Sequence, residues 1–345
     1  MPTIYDVVNA NVIAKKWTEN YIDRVPYLGE AFFAERKQLG NELSYLEGKR
    51  PAVRPLNLSS YDVKVIPIGR EGFKTITTEI PFFKNSKVIN EKQRQQLNIA
   101  LQTGNEKIIN PLVNEVYNDQ KSLLDNADVT REMMRMQLLT SGAIAFANNG
   151  QAVSLDFKVP ADNKKSTNWS NPTNADPLTD IVNALDYVEA QTGVRPDTVV
   201  MNSVTMNQIA KADAIKNAVY VFGNGKVTPS TNEARKYIER EAQVSIYVYN
   251  KGYTSETTGE FVKFVADNVV SMFVAGNVGE GVFGTTPEES DLMTESNAKV
   301  EIVDLGVAIT STKETDPVNV QTKVSMNYLP VLNDPSTLVI LDTNA

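Results

Sequence analysis

The stretch between Pro51 and Asn90 limits the fold of this chain more than any other. Ser59-Ser60-Tyr61-Asp62-Val63-Lys64-Val65 alternates polar and apolar residues with period two, and Thr75-Ile76-Thr77-Thr78-Glu79-Ile80 is β-branched and half-alternating. Between them Gly69-Arg70-Glu71-Gly72 is a connector with glycine at both ends. Residues 59–68 and 73–82 therefore read as the two arms of a β-hairpin. Ten residues at about 3.3 Å each would reach on the order of 30 Å. Tyr61, Val63 and Val65 form an apolar face opposite Asp62 and Lys64. Two strands alone cannot bury such a face. Pro51, Pro55 and Pro81 at the base hold the hairpin away from the following helices, so the expected support is a neighbouring subunit.

On either side the pattern is different. Residues 1–50 read as an arm with one or two short amphipathic helices, on the spacing of Val7, Val8, Val12, Ile13, Trp17, Tyr21 and Ile22. After Asn90, which can cap a helix, three helical stretches are predicted: one ended by Gly104, one starting at Asn110-Pro111, and one over 129–139. Met133, Met134 and Met136 in the last read as core rather than as a soft binding face. Asn148-Asn149-Gly150 predicts a second hairpin, and residues 160–176 read as a polar surface connection between domains.

From residue 176 the style is α/β. Asp176-Pro177 starts a helix that Gly193 stops, residues 198–201 form a buried strand, and Ser203 caps the next helix. Further strands are predicted at 244–249, 261–265 and 269–274, and a β tail over 299–309, 319–326 and 338–341. With 345 residues and 41% hydrophobic residues the chain is long enough to bury a sizeable core.

The chemistry available is narrow, because the chain has no Cys and no His. Disulfides, thiolate nucleophiles, Cys- or His-ligated metals and imidazole bases are excluded. Carboxylates, Lys or Tyr could still act, or hold a hard cation. Gly223-Asn224-Gly225-Lys226 is followed by Val227 rather than Ser or Thr, and is not a phosphate loop. Glu288, Glu289 and Asp291 read as a solvated face. The expectation is no catalytic residue, no cofactor and no metal. The net charge of −8 argues against a nucleic-acid grip. With no secretory leader and no membrane-length apolar run, a soluble, cytosolic chain is expected.

Four stretches resemble a known family: Gly72-Phe73-Lys74-Thr75 through Ile80-Pro81-Phe82-Phe83 to Val88-Ile89-Asn90; Gly193-Val194-Arg195-Pro196-Asp197-Thr198-Val199-Val200-Met201-Asn202-Ser203; Asn268-Val269-Val270 through Gly284-Thr285-Thr286-Pro287-Glu288-Glu289; and Tyr328-Leu329-Pro330-Val331-Leu332-Asn333-Asp334-Pro335. In order and spacing they resemble the major capsid protein of tailed bacteriophages, in the group typified by the lambda phage head protein. The resemblance implies an α+β, Hong Kong phage-type capsid fold. Its parts would be an N-terminal arm (1–50), an extended hairpin loop (51–90), a peripheral domain with a long helix (91–176), an axial α/β domain (177–298) and a β tail shared by both domains (299–345). It implies a structural subunit that forms pentamers and hexamers of an icosahedral shell around double-stranded DNA, without specific DNA binding. Implied partners are further copies of the chain, a scaffolding protein, a portal and a decoration protein, with assembly in the host cytoplasm and no membrane. The absence of a long charged prefix favours a separate scaffold. The assembly contacts expected are Tyr61, Val63, Val65, Gly69, Arg70, Glu71 and Gly72 on the hairpin, and Gly276, Gly279 and Gly281 in a loop over 276–284 near the five- and six-fold axes. A tail-tube protein, which should be mostly β, and a carboxylate-based hydrolase on the α/β domain are the alternatives.

Overall fold

The computed structural model describes residues 9–21, 26–47, 74–103, 106–148, 150–220, 227–256, 258–291 and 298–344. The chain divides into two compact units: Met1–Leu43, Glu79–Arg135 and Glu280–Val331 form one, and Ser44–Thr78, Met136–Gly279 and Leu332–Ala345 the other.

The first unit is built on a six-stranded sheet. Its strands follow the order Phe33–Lys37, Gly279–Phe283, Val320–Leu332, Val307–Lys313 and Ala298–Val303, with Phe82–Ile89 also paired to Val320–Leu332. The 13-residue central strand pairs antiparallel to Phe82–Ile89, from Val320 opposite Ile89 to Asn327 opposite Phe82. Along it Val320, Thr322, Val324 and Met326 are buried at alternate positions, as a pleated strand with one core face requires. The helix Ala10–Tyr21 packs against Ala298–Val303. Ala10, Ile13 and Trp17 form its buried stripe, and the Asn9 side chain accepts the Val12 N–H at 3.2 Å to cap it.

Residues 1–50 are thus not helical throughout: Phe33–Lys37 and Glu42–Glu47 are strands. Phe33-Ala34-Glu35-Arg36-Lys37 is two apolar residues followed by three charged ones, with no period-two alternation to mark a strand; the alternation appears only in the folded burial.

Asn90 does cap the helix Glu91–Thr103, its side chain accepting from Gln93 N while Gln93 Oε1 accepts from Asn90 N. The next two predicted helices are one, the 36-residue Glu106–Ser141, with Pro111 inside it. Proline lacks one donor and so gives up one backbone hydrogen bond. Near the start of a helix of about 54 Å that loss is small against the packing along its length. Met134 and Met136 are fully buried core.

The second unit carries a five-stranded sheet, in the order Lys164–Ser166, Val339–Asp342, Val269–Phe273, Thr198–Met201, Ser245–Val248. Four helices accompany it: Pro177–Thr192, Ser203–Lys211, Asp213–Val219 and Thr231–Ala242. Ile181, Leu185 and Val188 of the first pack into one core with Val199, Met201, Ile238, Met272 and Leu341. Thr198–Met201 and Ser245–Val248 are parallel, with helices in the connection between them. Asp176 caps Pro177–Thr192 and Gly193 closes it at φ 72°, a left-handed turn that glycine adopts without strain. The following helix is capped by Asn202, one residue before the predicted Ser203, and Ser230 with Glu233 makes a full capping box for the last. Ala143–Asn148 and Gln151–Asp156 form the predicted second hairpin.

Two expectations fail in this half of the chain. The stretch 160–176 is not merely a surface connection: Lys164–Ser166 adds a sheet strand parallel to Val339–Asp342, and Trp169 is 1% exposed with its Nε1 donating to Asp180 at 2.8 Å. Its polar composition hid one buried indole and a three-residue edge strand. The loop expected over 276–284 exists only around Gly276, in a 3-10 turn at Ala275–Asn277, and Gly279–Phe283 is a strand of the six-stranded sheet. Gly281 serves close approach rather than a left-handed backbone, because a Cβ there would lie 2.5 Å from the Tyr328 hydroxyl.

Candidate assembly elements

The long helix carries two buried arginines one turn apart. Arg131 donates through Nη1 to Glu35 Oε1 at 3.1 Å and through Nη2 to Asp304 at 3.0 Å, and also pairs with Asp128. Arg135 donates through Nε to the Tyr328 hydroxyl at 2.7 Å and pairs with the same Glu35. The Glu132 carboxylate accepts the Gly29 N–H at 3.0 and 3.1 Å, satisfying an orphan donor at the start of the helix Leu28–Phe32. Burial alone would lower the affinity of the Arg131 guanidinium for its proton. Asp128, Glu35 and Asp304 outweigh this and raise it. Burial likewise dominates in holding the Tyr328 phenol above its ordinary range. The cluster ties Gly29 and Glu35, and the strand Val320–Leu332 through Tyr328, to one face of the helix. Nothing in the sequence reading found it. The signal was Asp128–Arg131 and Glu132–Arg135 at i,i+3, a spacing that on most helices marks only a solvated face.

The acidic group Glu288, Glu289 and Asp291 is a correction of the same kind. Glu288 is 4% exposed, pairs with Lys323 at 2.5 Å and accepts from Ser325 Oγ at 2.8 Å. Burial pushes its carboxyl up, but Lys323 and Ser325 together hold it below the ordinary value. Glu289 pairs with Lys37. Among the described residues no three carboxylates gather as a metal site would need.

Of the predicted hairpin, the arm 73–82 is described from Lys74. Lys74–Glu79 is a strand paired with Glu42–Glu47, and the chain breaks at Pro81 before Phe82–Ile89 joins the six-stranded sheet. Ser44 and Thr77 share a hydroxyl hydrogen bond at 3.1 Å, and Ile80 N donates to Asn41 O at 2.7 Å. The two contacts run in opposite chain directions, so the pair is antiparallel and Glu47 comes beside Lys74. Tyr61, Val63, Val65, Gly69, Arg70, Glu71 and Gly72 lie outside the described residues, as does the arm 59–68. Gly276, Gly279 and Gly281 are separated: Gly276 sits in a turn with open space at its Cα, while Gly279 and Gly281 belong to a strand.

In the second unit a cleft of about 270 Å³ lies between the starts of the helices Ser203–Lys211 and Thr231–Ala242, lined by Ser203, Met206, Asn207, Thr231, Asn232, Arg235 and Val248. It does not offer the paired carboxylates that a hydrolase of the expected type needs.

Comparison with known proteins agrees with this architecture. Solved structures similar in fold include a phage-related protein from Bordetella bronchiseptica RB50, with TM-score 0.55, 14% identity and 98% of each chain covered. A protein assigned as a prophage capsid protein of Escherichia coli CFT073 gives TM-score 0.52 at 13% identity, covering 79% of each chain. The capsid asymmetric unit of cyanophage A-1(L) gives TM-score 0.50 at 9% identity, covering 92% of this chain and 94% of that one. No curated protein matches in sequence. The fold is the Hong Kong phage-type capsid fold, mixed helix and strand. Residues 11–343 match the family described as phage major capsid protein E, and the chain belongs to that family as a structural subunit of a phage head shell.

Proposed function

We propose that this subunit assembles into pentamers and hexamers that close an icosahedral shell around double-stranded DNA, with residues 48–73 reaching from each copy onto the next. The observation that carries this is the antiparallel pairing of Glu42–Glu47 with Lys74–Glu79, which brings the two ends of that segment to one point. A segment anchored this way, with alternating Tyr61, Val63 and Val65, has an apolar face to bury and a polar tip at Arg70 and Glu71. Residues 1–50 are the arm, 51–90 the extended loop, 91–176 the peripheral domain, 177–298 the axial domain and 299–345 the shared tail. In support of the tail's division, Val320–Leu332 lies in the six-stranded sheet and Val339–Asp342 in the five-stranded one. The role is structural and not enzymatic. A scaffolding protein, a portal and a decoration protein are the expected partners, and assembly takes place in the host cytoplasm. The 36-residue helix speaks against a tail tube, which should be mostly β.

Gel filtration followed by negative-stain microscopy of the purified protein tests the reading. Closed isometric particles are expected. Stacked tubes would favour the tail-tube reading, and a monomer at every concentration would contradict both.

A further inference from the structure

The cleft between the starts of the helices Ser203–Lys211 and Thr231–Ala242 is cationic. Among the described residues Arg235 is the one charged side chain lining it, beside apolar Met206 and Val248. The Arg235 side chain is 38% exposed: its Nε is sealed without a hydrogen bond, while its terminal nitrogens stay open. The carboxylates of its own helix are engaged elsewhere. Glu239 comes no nearer than 3.7 Å and takes the Ile246 N–H at 3.0 Å, Glu233 accepts from Ser230 and Tyr220, and Glu241 pairs with Arg240. At about 270 Å³ the cleft is smaller than the roughly 300–1,000 Å³ usual for small-molecule sites, and its size suits an inserted side chain.

The same unit carries a matching projection. Gly252–Thr254 and Phe261–Lys263 pair as a two-stranded ribbon that joins no other sheet. Its turn is fixed by hydrogen bonds from Ser255 N to Glu260 O at 2.9 Å and from Gly259 N to Ser255 O at 2.8 Å. Glu256 and Glu260 are exposed in this turn, with no cation among the described residues in ion-pair reach. The ribbon's own cations, Lys251 and Lys263, lie at its root, where Lys263 pairs with Asp267 at 2.7 Å. Next to Glu260, Phe261 is 63% exposed. Its ring is held in place across the bare backbone of the paired strand, because a Cβ on Gly252 would lie 2.7 Å from Phe261 Cζ. A turn ordered in advance loses little freedom on docking. The root adjoins the cleft, since Asn250 Oδ1 accepts the Ser203 N–H at 2.8 Å, yet neither tip carboxylate pairs with Arg235 of its own chain.

We propose that Glu256 and Glu260 at the ribbon tip enter the Arg235 cleft of a second copy of the chain, with Phe261 covered at its rim. The inference rests on the shell reading and names a contact by which one copy grips the next. Tip and cleft are different surfaces, so the contact is heterologous and repeats head to tail into closed rings, as pentamers and hexamers require.

Charge exchange tests this. Arg235→Glu, and separately Glu256→Lys with Glu260→Lys, should each lower particle yield roughly tenfold or more, because like charges then face each other across the contact. The three substitutions together should restore most of the yield, which no partner other than a second copy would allow. The free tip variant should melt close to the wild type, because both residues are exposed. If Arg235→Glu fails to fold, Arg235→Gln takes its place, and its combination with the tip variant should lose no more yield than the tip variant alone. A tip variant that assembles as well as a particle-forming wild type would overturn the proposal. So would losses in both variants that add rather than cancel, which would give the cleft to an acidic segment of another protein or to a free anion. Failure of the wild type to form particles would contradict the shell reading itself, and this inference with it.

Discussion

At the scale of single residues, the buried charges decide most. Arg131 holds Asp128, Glu35 and Asp304 in place, and its side chain is 3% exposed. Arg131→Ala would leave Asp128 and Asp304 without their cation and Glu35 with Arg135 alone. A loss of about 3–5 kcal/mol is expected, read as a fall in melting temperature on the order of 10 °C; a change within a degree or two would show that the cluster contributes little. Glu288 predicts a pH dependence with a definite sign. Its folded carboxyl is held below the ordinary value of 4.5, so its stabilising contribution is fully present above that pH and is lost as pH falls through the folded value. Glu288→Gln should therefore lower the melting point at pH 7, and the gap to the wild type should close in acid. A gap that stayed constant with pH would assign the effect to packing. These residues were the least legible part of the sequence. A carboxylate in Glu288-Glu289 looks the same whether it meets water or Lys323, because its partners lie far along the chain and only the folded sheet brings them together.

At the scale of elements, local chemistry was readable where it acts locally. Asp176-Pro177 with Gly193, the Asn90 cap and the pairing of Ala143–Asn148 with Gln151–Asp156 are each settled within a few residues, and each is found where the sequence puts it. Elements that depend on distant strands were not. Gly279–Phe283 reads as glycine-rich loop and is a central strand, because Gly281 makes room for Tyr328 rather than turning the chain. The Glu42–Glu47 strand was missed for the same reason: its partner Lys74–Glu79 lies beyond a long intervening segment. That pairing also sets where the proposed extended loop can be cut. Because Ile80 is buried and Lys74–Glu79 is a paired strand, a deletion that tests the loop must stop short of Lys74, as one of residues 51–72 does. Replacing them with a short Gly-Ser linker should leave a cooperative melt close to that of the wild type and no shells. Shells from the deletion variant, or an unfolded subunit, would show that the segment is not an inter-subunit clasp.

At the scale of the molecule, charge and assembly are linked. A net charge of −8 favours solubility of a concentrated subunit, and a shell built from it is expected to have no overall basic lining. Filter binding at low salt should accordingly show negligible retention of duplex DNA, whereas submicromolar affinity would mean that local basic surfaces dominate the net charge. The absence of Cys and His has a simple meaning in a structural subunit, whose work is done by strand pairing, packing and buried ion pairs. Fold class and family were legible because they rest on the order of many elements, each modest alone. The contacts between copies were not, because a single chain records only its own half of them. A cryo-electron-microscopy reconstruction of particles formed by the purified protein tests the central claim most directly. The account predicts icosahedral shells with residues 59–72 of each copy lying across a neighbour; shells in which that segment folds back on its own chain, or particles without closed symmetry, would contradict it.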